Sequence, residues 1–361
     1  MKGWWLTIVV WTSATIAVQA QSQSVDQNRF ESVTRQIRQW VDKGYYPGAS
    51  ILIVKDSKVI LERYFGQYTP ESSVYIASAG KWLAAATIAA VVDEGKLSWD
   101  DKVMKWLPDW TDTKGQATLR QLLSHTAGYP DYQPKGAHPD DYQTLAEAVM
   151  HSKTLPADTT AGIRFRYGGL AMQVAGRMAE LATGMEWEQL FQTKIARPLS
   201  MTATHFTPVD PMEGHNPMLG GGARSTLHDY IHFLEMIYHD GVYRGKRILS
   251  STTIAAMQAD QVGKADTQQE PYLRKAYHQQ RNDIYGLGEW RAEVDRSGKP
   301  ILIISPSWAG AYPWIDRTNG TYGFFLAHVD VNGSAAKDHF NAFYASPVLP
   351  MLVRKVVGGV R

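Results

Sequence analysis

Residues 27–43 repeat apolar side chains at helical spacing, with Phe30, Val33, Ile37, Trp40 and Val41 on one face. Gly44 and Pro47 close that pattern. The next two runs, 49–54 and 59–65, have the length and residue types of strands. Lys55-Asp56-Ser57-Lys58 between them predicts a hairpin. A run at 74–77 leads into an apolar helical pattern that Gly95 stops. From about 98 to 245 helical periodicity dominates, at 119–123, 145–150, 170–181, 187–195 and 230–238. Residues 260–283 are polar, Gln-rich and weakly patterned, which predicts an exposed excursion. Strand-like runs follow at 284–293, 300–305, 309–316 and 321–330, and a helical pattern covers about 338–357.

Strands at both ends with helices between them imply one discontinuous unit. The expected class is α+β. A three-layer α/β/α lobe with an antiparallel sheet is assembled from 27–97 and 246–361, and 98–245 forms an inserted all-α lobe. Together they make one catalytic domain over 25–361, and a cleft between the lobes is the natural place for a site.

The first twenty residues change the picture of where this unit works. Lys2 precedes a mostly apolar stretch from Trp4 to Val18, and Val18-Gln19-Ala20 is a small-residue cleavage site, the pattern of a secretory signal. The expected location is therefore periplasmic or secreted, with cleavage near Ala20. The alternative is an uncleaved anchor; no later stretch is long enough to span a bilayer. There is no cysteine, which excludes disulfides and lipid attachment through an N-terminal cysteine. The net charge of +2 gives no electrostatic case for a nucleic-acid or anionic-membrane partner. The 12 tryptophans and 18 tyrosines suit either a ring-lined cleft for a small organic ligand or plain core filling.

Ser78-Ala79-Gly80-Lys81 carries the chemical signal. If Ser78 opens the following helix, Lys81 lies about one turn on, with its amine in reach of the hydroxyl. The positive end of the helix dipole would push that amine toward its neutral form. A serine beside a lysine that can shed its proton is a nucleophile made without histidine. Ser-x-x-Lys alone is a weak signal, expected by chance on the order of once in a chain this long. It recurs here as Ser334-Ala335-Ala336-Lys337, after the turn-like Val331-Asn332-Gly333, where the serine reads better as a helix N-cap.

Context separates the two copies. Ile76-Ala77-Ser78-Ala79-Gly80-Lys81 resembles the nucleophile motif of the serine β-lactamase and penicillin-binding superfamily. Leu122-Leu123-Ser124-His125-Thr126-Ala127-Gly128 is similar to the "LLSHTSG" stretch of its class C β-lactamase-like esterase branch. Tyr167-Gly168-Gly169 stands where that branch carries Tyr-x-Asn. Gly220-Gly221-Gly222-Ala223-Arg224-Ser225-Thr226, with Asp229, resembles its "GGLxST…D" segment. The match runs over roughly residues 30–335.

The resemblance implies a β-lactamase/transpeptidase-like fold and a serine hydrolase acting through an acyl-enzyme, with no cofactor and no metal. Ser78 would be the nucleophile, Lys81 the proton acceptor or relay and Tyr167 a second base. The backbone N–H groups of Ser78 and Ala311 would form the oxyanion hole. Trp308 would wall the cleft or pack in the core; Gly310 would allow close approach of the substrate or serve only as a strand glycine. Two departures bear on substrate. Gly169 replaces the family's Asn, and Trp308-Ala309-Gly310 replaces its Lys-Thr-Gly or His-x-Gly, removing a cation suited to a carboxylate. The substrate expected is a small ester, with a β-lactam or cell-wall-like D-peptide amide as the alternative and a non-catalytic binding protein as the second. Arg164, Arg166 and Arg317 are the cations that could replace the missing one. His125 invites a Ser-His-Asp reading, but the resemblance places it in a structural loop. His228, His232 and the nearby His239 could suggest zinc; a solvated helix face is the better account.

Overall fold

The computed structural model describes residues 29–130, 144–206, 216–330 and 332–358. The expected signal at 1–20 lies outside them. Helix α1 (Glu31–Asp42) buries Val33, Ile37 and Trp40, as its spacing requires. Strands β1 (Gly48–Lys55) and β2 (Lys58–Gly66) form the hairpin. Its two turn residues, Asp56 and Ser57, have φ of 48° and 60°, the left-handed pair that suits the twist of a tight hairpin.

Three short strands, β3 (Val74–Tyr75), β4 (His205–Phe206) and β5 (Ala223–Ser225), pair in the order β3-β5-β4. A small ribbon follows, β6 (Val242–Tyr243) with β7 (Lys246–Arg247). The last four strands are β8 (Trp290–Val294), β9 (Pro300–Ile304), β10 (Gly310–Asp316) and β11 (Thr321–His328). They join the first hairpin in one antiparallel sheet, ordered β2-β1-β11-β10-β9-β8. The two ends of the described chain thus meet where β11 pairs with β1.

Alternation along the strands sends side chains to two cores. Leu52, Val54, Ile315, Phe324 and Leu326 face one, while Ile51, Ile53, Tyr312, Trp314 and Phe325 face the other. Each such side chain, fully buried, is worth about 1.5–3 kcal/mol. The first core holds helix α2 (Gly80–Asp93), which is buried on nearly every side and carries no polar stripe. Helices α3 (Leu119–Leu123) and α4 (Leu145–Thr154) each start on a capping box, Thr118 with Gln121 and Thr144 with Glu147. Helix α5 (Leu170–Thr183) packs on α2, α3 and α4. The second core is covered by α1 and the last long helix, Val348–Val357, through Leu349 and Val353.

Three expectations need correction. Helix α6 (Leu227–Tyr238) lies inside the segment expected to be the all-α lobe, yet it packs on β1, β10 and β11. A helical period cannot say which layer a helix joins. Residues 260–283 are not an exposed excursion, because Val262, Ala265, Tyr272 and Leu273 are buried. The Tyr272 ring lies 4.1 Å from that of Phe343 and 4.9 Å from that of Trp290. These anchors are too irregularly spaced to register as a pattern. Residues 284–289 form a turn bridged from Tyr285 to Trp290 rather than the start of a strand.

Candidate active site

Strand β3 is tied to β5, and Ile76 N–H continues that tie by donating to the Ala223 carbonyl at 2.9 Å. Ala77 then takes φ of 46°, a left-handed conformation that costs a non-glycine residue about 1–3 kcal/mol. A single 3₁₀ turn, Ala77–Ala79, follows and leads into α2. Ser78 therefore sits in this strained turn rather than at the start of the α-helix proper. The expected reach survives: Lys81 Nζ lies 3.1 Å from Ser78 Oγ. Lys81 is fully buried, donates to the Gly220 carbonyl, and places its amine 4.6 Å from the centre of the Tyr167 ring. Ser78, Lys81 and Tyr167 are thus brought together.

Tyr167 is held by the 124–128 loop. Arg166 N–H donates to the His125 carbonyl at 2.8 Å and Gly162 N–H to the Thr126 carbonyl at 2.7 Å. The His125 ring lies 4.7 Å from the Tyr167 ring, and its Nε2 lies 3.2 Å from the Tyr285 hydroxyl. Burial, reinforced by the Lys81 charge, holds the His125 imidazole well below its ordinary pKa. A neutral ring packed among aromatics supports Tyr167 and is poorly placed for Ser-His-Asp chemistry.

The opposite wall is β10. Its pairing with β11 shifts register between Gly310 and Tyr312, where Ala311 alone stands opposite Leu326 and Ala327. The Ser78 N–H belongs to the first turn of its helix, where donors have no intrahelical acceptor. Strand β10 packs on this turn, and Ser305 Oγ donates to the Ser78 carbonyl at 3.3 Å. Gly310 has a structural reason of its own. At φ of 118°, a Cβ there would stand 2.7 Å from the Tyr46 ring.

Trp308 is 50% exposed, so it belongs to the surface wall and not to the core. Its ring lies 6.3 Å from His328, whose ring lies 5.7 Å from Tyr75. Gly169 is the buried N-cap residue of α5 and packs on Gly220, whose carbonyl receives Lys81. The contact is close: a Cβ on Gly220 would stand 2.7 Å from Gly169 Cα.

The expected replacement cations are committed elsewhere. Arg164 and Arg166 pair with Asp158 at 3.4 and 2.8 Å, and Arg317 pairs with Asp240 at 3.0 Å. The three histidines have separate neighbours: Glu62 for His228, Tyr243 for His232 and Tyr238 for His239. Among the described residues no group of three or more His, Cys, Asp or Glu side chains is placed to hold a metal. At the second Ser-x-x-Lys, Gly333 rather than Ser334 is the N-cap residue, and Lys337 is exposed.

One buried group gave no sequence signal. Glu289 lies in the turn that Gly288 presses onto α2, where a Cβ would stand 2.8 Å from the Lys81 carbonyl oxygen. Both Glu289 carboxyl oxygens lack a hydrogen-bond partner. Desolvation pushes the acid up to about 8, offset in part by Arg317, the Trp82 indole and Arg291. The Trp82 N–H faces the carboxyl without reaching hydrogen-bonding geometry.

Comparison with known proteins gives the family and the fold. The model of the family described as Beta-lactamase matches residues 33–345. An Escherichia coli protein provisionally named a D-alanyl-D-alanine carboxypeptidase is 27% identical over 351 residues, covering 81% of this chain and 80% of that protein. A crystal structure from Bacteroides dorei, provisionally named a beta-lactamase, is 52% identical with a TM-score of 0.87, covering 91% of this chain and 99% of the other. The hydrolase EstCE1, described as having promiscuous acyltransferase activity, shares the fold at 20% identity and a TM-score of 0.69, over 90% of this chain and 99% of that one. A family match over most of the chain, together with a serine and a buried lysine in contact, leads to one conclusion: this chain belongs to the Beta-lactamase family and is one of its serine hydrolases.

Proposed function

We propose that the protein is an exported esterase that hydrolyses small carboxylic esters through an acyl-enzyme on Ser78. The observation that carries this reading is the 3.1 Å separation between Lys81 Nζ and Ser78 Oγ in a buried setting. Lys81, in its free-amine form, takes the serine proton, directly or by way of Tyr167, as Ser78 Oγ attacks the ester carbonyl. The developing oxyanion is received by the N–H groups of Ser78 and Ala311, each such donor being worth about 3–4 kcal/mol. Collapse breaks the bond to the leaving alcohol, which takes the proton, and water then releases the acid. The leader pattern at 1–20 supports export.

The ester preference rests on Gly169 and Trp308. A β-lactam or D-peptide presents an amide and a carboxylate, and a buried polar group left unpaired costs about 1–3 kcal/mol. An ester needs only the nucleophile, the oxyanion donors and an apolar wall. kcat/KM for a short p-nitrophenyl ester should exceed that for nitrocefin by at least about a hundredfold. Equal efficiencies, or a preference for nitrocefin, would move the reading to a β-lactamase or D-peptidase. The provisional name of the E. coli relative favours that second reading.

A further inference from the structure

Strands β3, β5 and β4 place Tyr75, Arg224 and His205 directly opposite one another, and paired residues project to the same face of a sheet. The other face is the core side, with Ala223, Ser225 and Phe206 buried. Tyr75, Arg224 and His205 are only partly buried. This face adjoins the candidate site, since Tyr75 stands three residues before Ser78. A Cβ on Gly221 would lie 3.4 Å from the Tyr75 hydroxyl and 3.6 Å from the Ala77 backbone. The Tyr75 ring in turn packs on His328, and His328 on the exposed Trp308.

Arg224 brings a positive charge to this wall. His328 Nδ1–H donates to the Tyr75 carbonyl at 3.1 Å. Burial, offset in part by that bond and reinforced by Arg224, holds its imidazole below the usual pKa and keeps it neutral. Among the described residues Arg224 forms no ion pair and no side-chain hydrogen bond. A half-buried guanidinium beside a neutral histidine is a fork suited to a carboxylate.

We infer that Arg224 is a specificity-determining residue that binds a carboxylate carried by the substrate, which makes the preferred substrate an anionic ester. The inference rests on the proposed esterase reading. Arg224 rises from β5 and not from the segment leading into β10 where Trp308 stands. It therefore does not restore the cation that a lactam carboxylate would need there, and it leaves the Gly169 deficit in place.

The test compares esters that differ by one carboxylate. On the acyl side these are p-nitrophenyl butyrate and mono-p-nitrophenyl glutarate. On the alcohol side they are phenyl acetate and para-carboxyphenyl acetate. Wild-type protein should prefer the anionic member of at least one pair. Arg224→Gln should lower its kcat/KM by about tenfold or more, mainly through KM, and leave the neutral ester within about threefold. Arg224→Lys should keep part of the preference, and added salt should shrink it. A second readout needs no ester turnover: protection of Ser78 from a fluorophosphonate probe by phenylboronic acid and by meta-carboxyphenylboronic acid. The carboxylated boronate should protect better in wild type and lose that advantage in Arg224→Gln. If no ester turns over but this difference persists, the esterase reading fails and the role of Arg224 stands. No anionic preference in either readout, or an equal loss on neutral and anionic compounds in Arg224→Gln, would overturn it.

Discussion

Lys81→Ala should lower the acylation rate by about two to four orders of magnitude while leaving the fold intact. The amine lies 3.1 Å from Ser78 Oγ, within reach of its proton, and positioned bases typically contribute that much. The change also removes the tie to Gly220 and opens a small gap beside Tyr167, so circular dichroism and thermal unfolding must accompany the kinetics. Pre-steady-state release of p-nitrophenol reads acylation directly. Near-normal acylation in Lys81→Ala would shift the base to another group, with His125 next in line. A buried imidazole held neutral could accept a proton, but its ring packs on Tyr167 and its Nε2 faces Tyr285.

Glu289→Gln should stabilise the protein by roughly 3 kcal/mol at pH 7. The folded-state pKa is raised to about 8 from an ordinary 4.5, so the folded protein keeps this proton where the unfolded chain has released it. The unfolded state therefore binds fewer protons between about pH 4.5 and 8, and this carboxyl makes stability fall as pH rises through that window. An amide of the same shape removes the dependence. Urea unfolding at pH 5.5 and 7.5 should show wild type losing about 2–3 kcal/mol more than Glu289→Gln between the two conditions. Parallel losses in both proteins would mean that the carboxyl is solvated or paired when folded.

These two residues mark what local sequence can and cannot carry. Lys81 was legible because its relation to Ser78 is a matter of helical rise, and one turn of helix needs no tertiary information. The β1–β2 hairpin and the capped starts of α3 and α4 are local in the same sense. Glu289 was illegible because its burial depends on a turn folding against α2 from two hundred residues away in the chain. The φ of Ala77 depends likewise on the hold of β5 on β3, and Arg224 on how three short strands line up. The register shift beside Ala311 is one that no residue pattern announces; the family resemblance alone pointed to that residue. At Ser334 the local reasoning missed by one position, because Gly333 takes the cap. A helix pattern also could not assign α6 to the sheet, since amphipathic spacing names a buried face and not the neighbour that buries it.

The central claim is that Ser78 alone carries the covalent intermediate, and intact-mass spectrometry after fluorophosphonate treatment tests it most directly. Wild type should gain the mass of a single adduct. Ser78→Ala should gain none, and Ser334→Ala should label as wild type does, because Lys337 is exposed and its serine lacks a buried amine. An adduct that persists in Ser78→Ala would contradict the account.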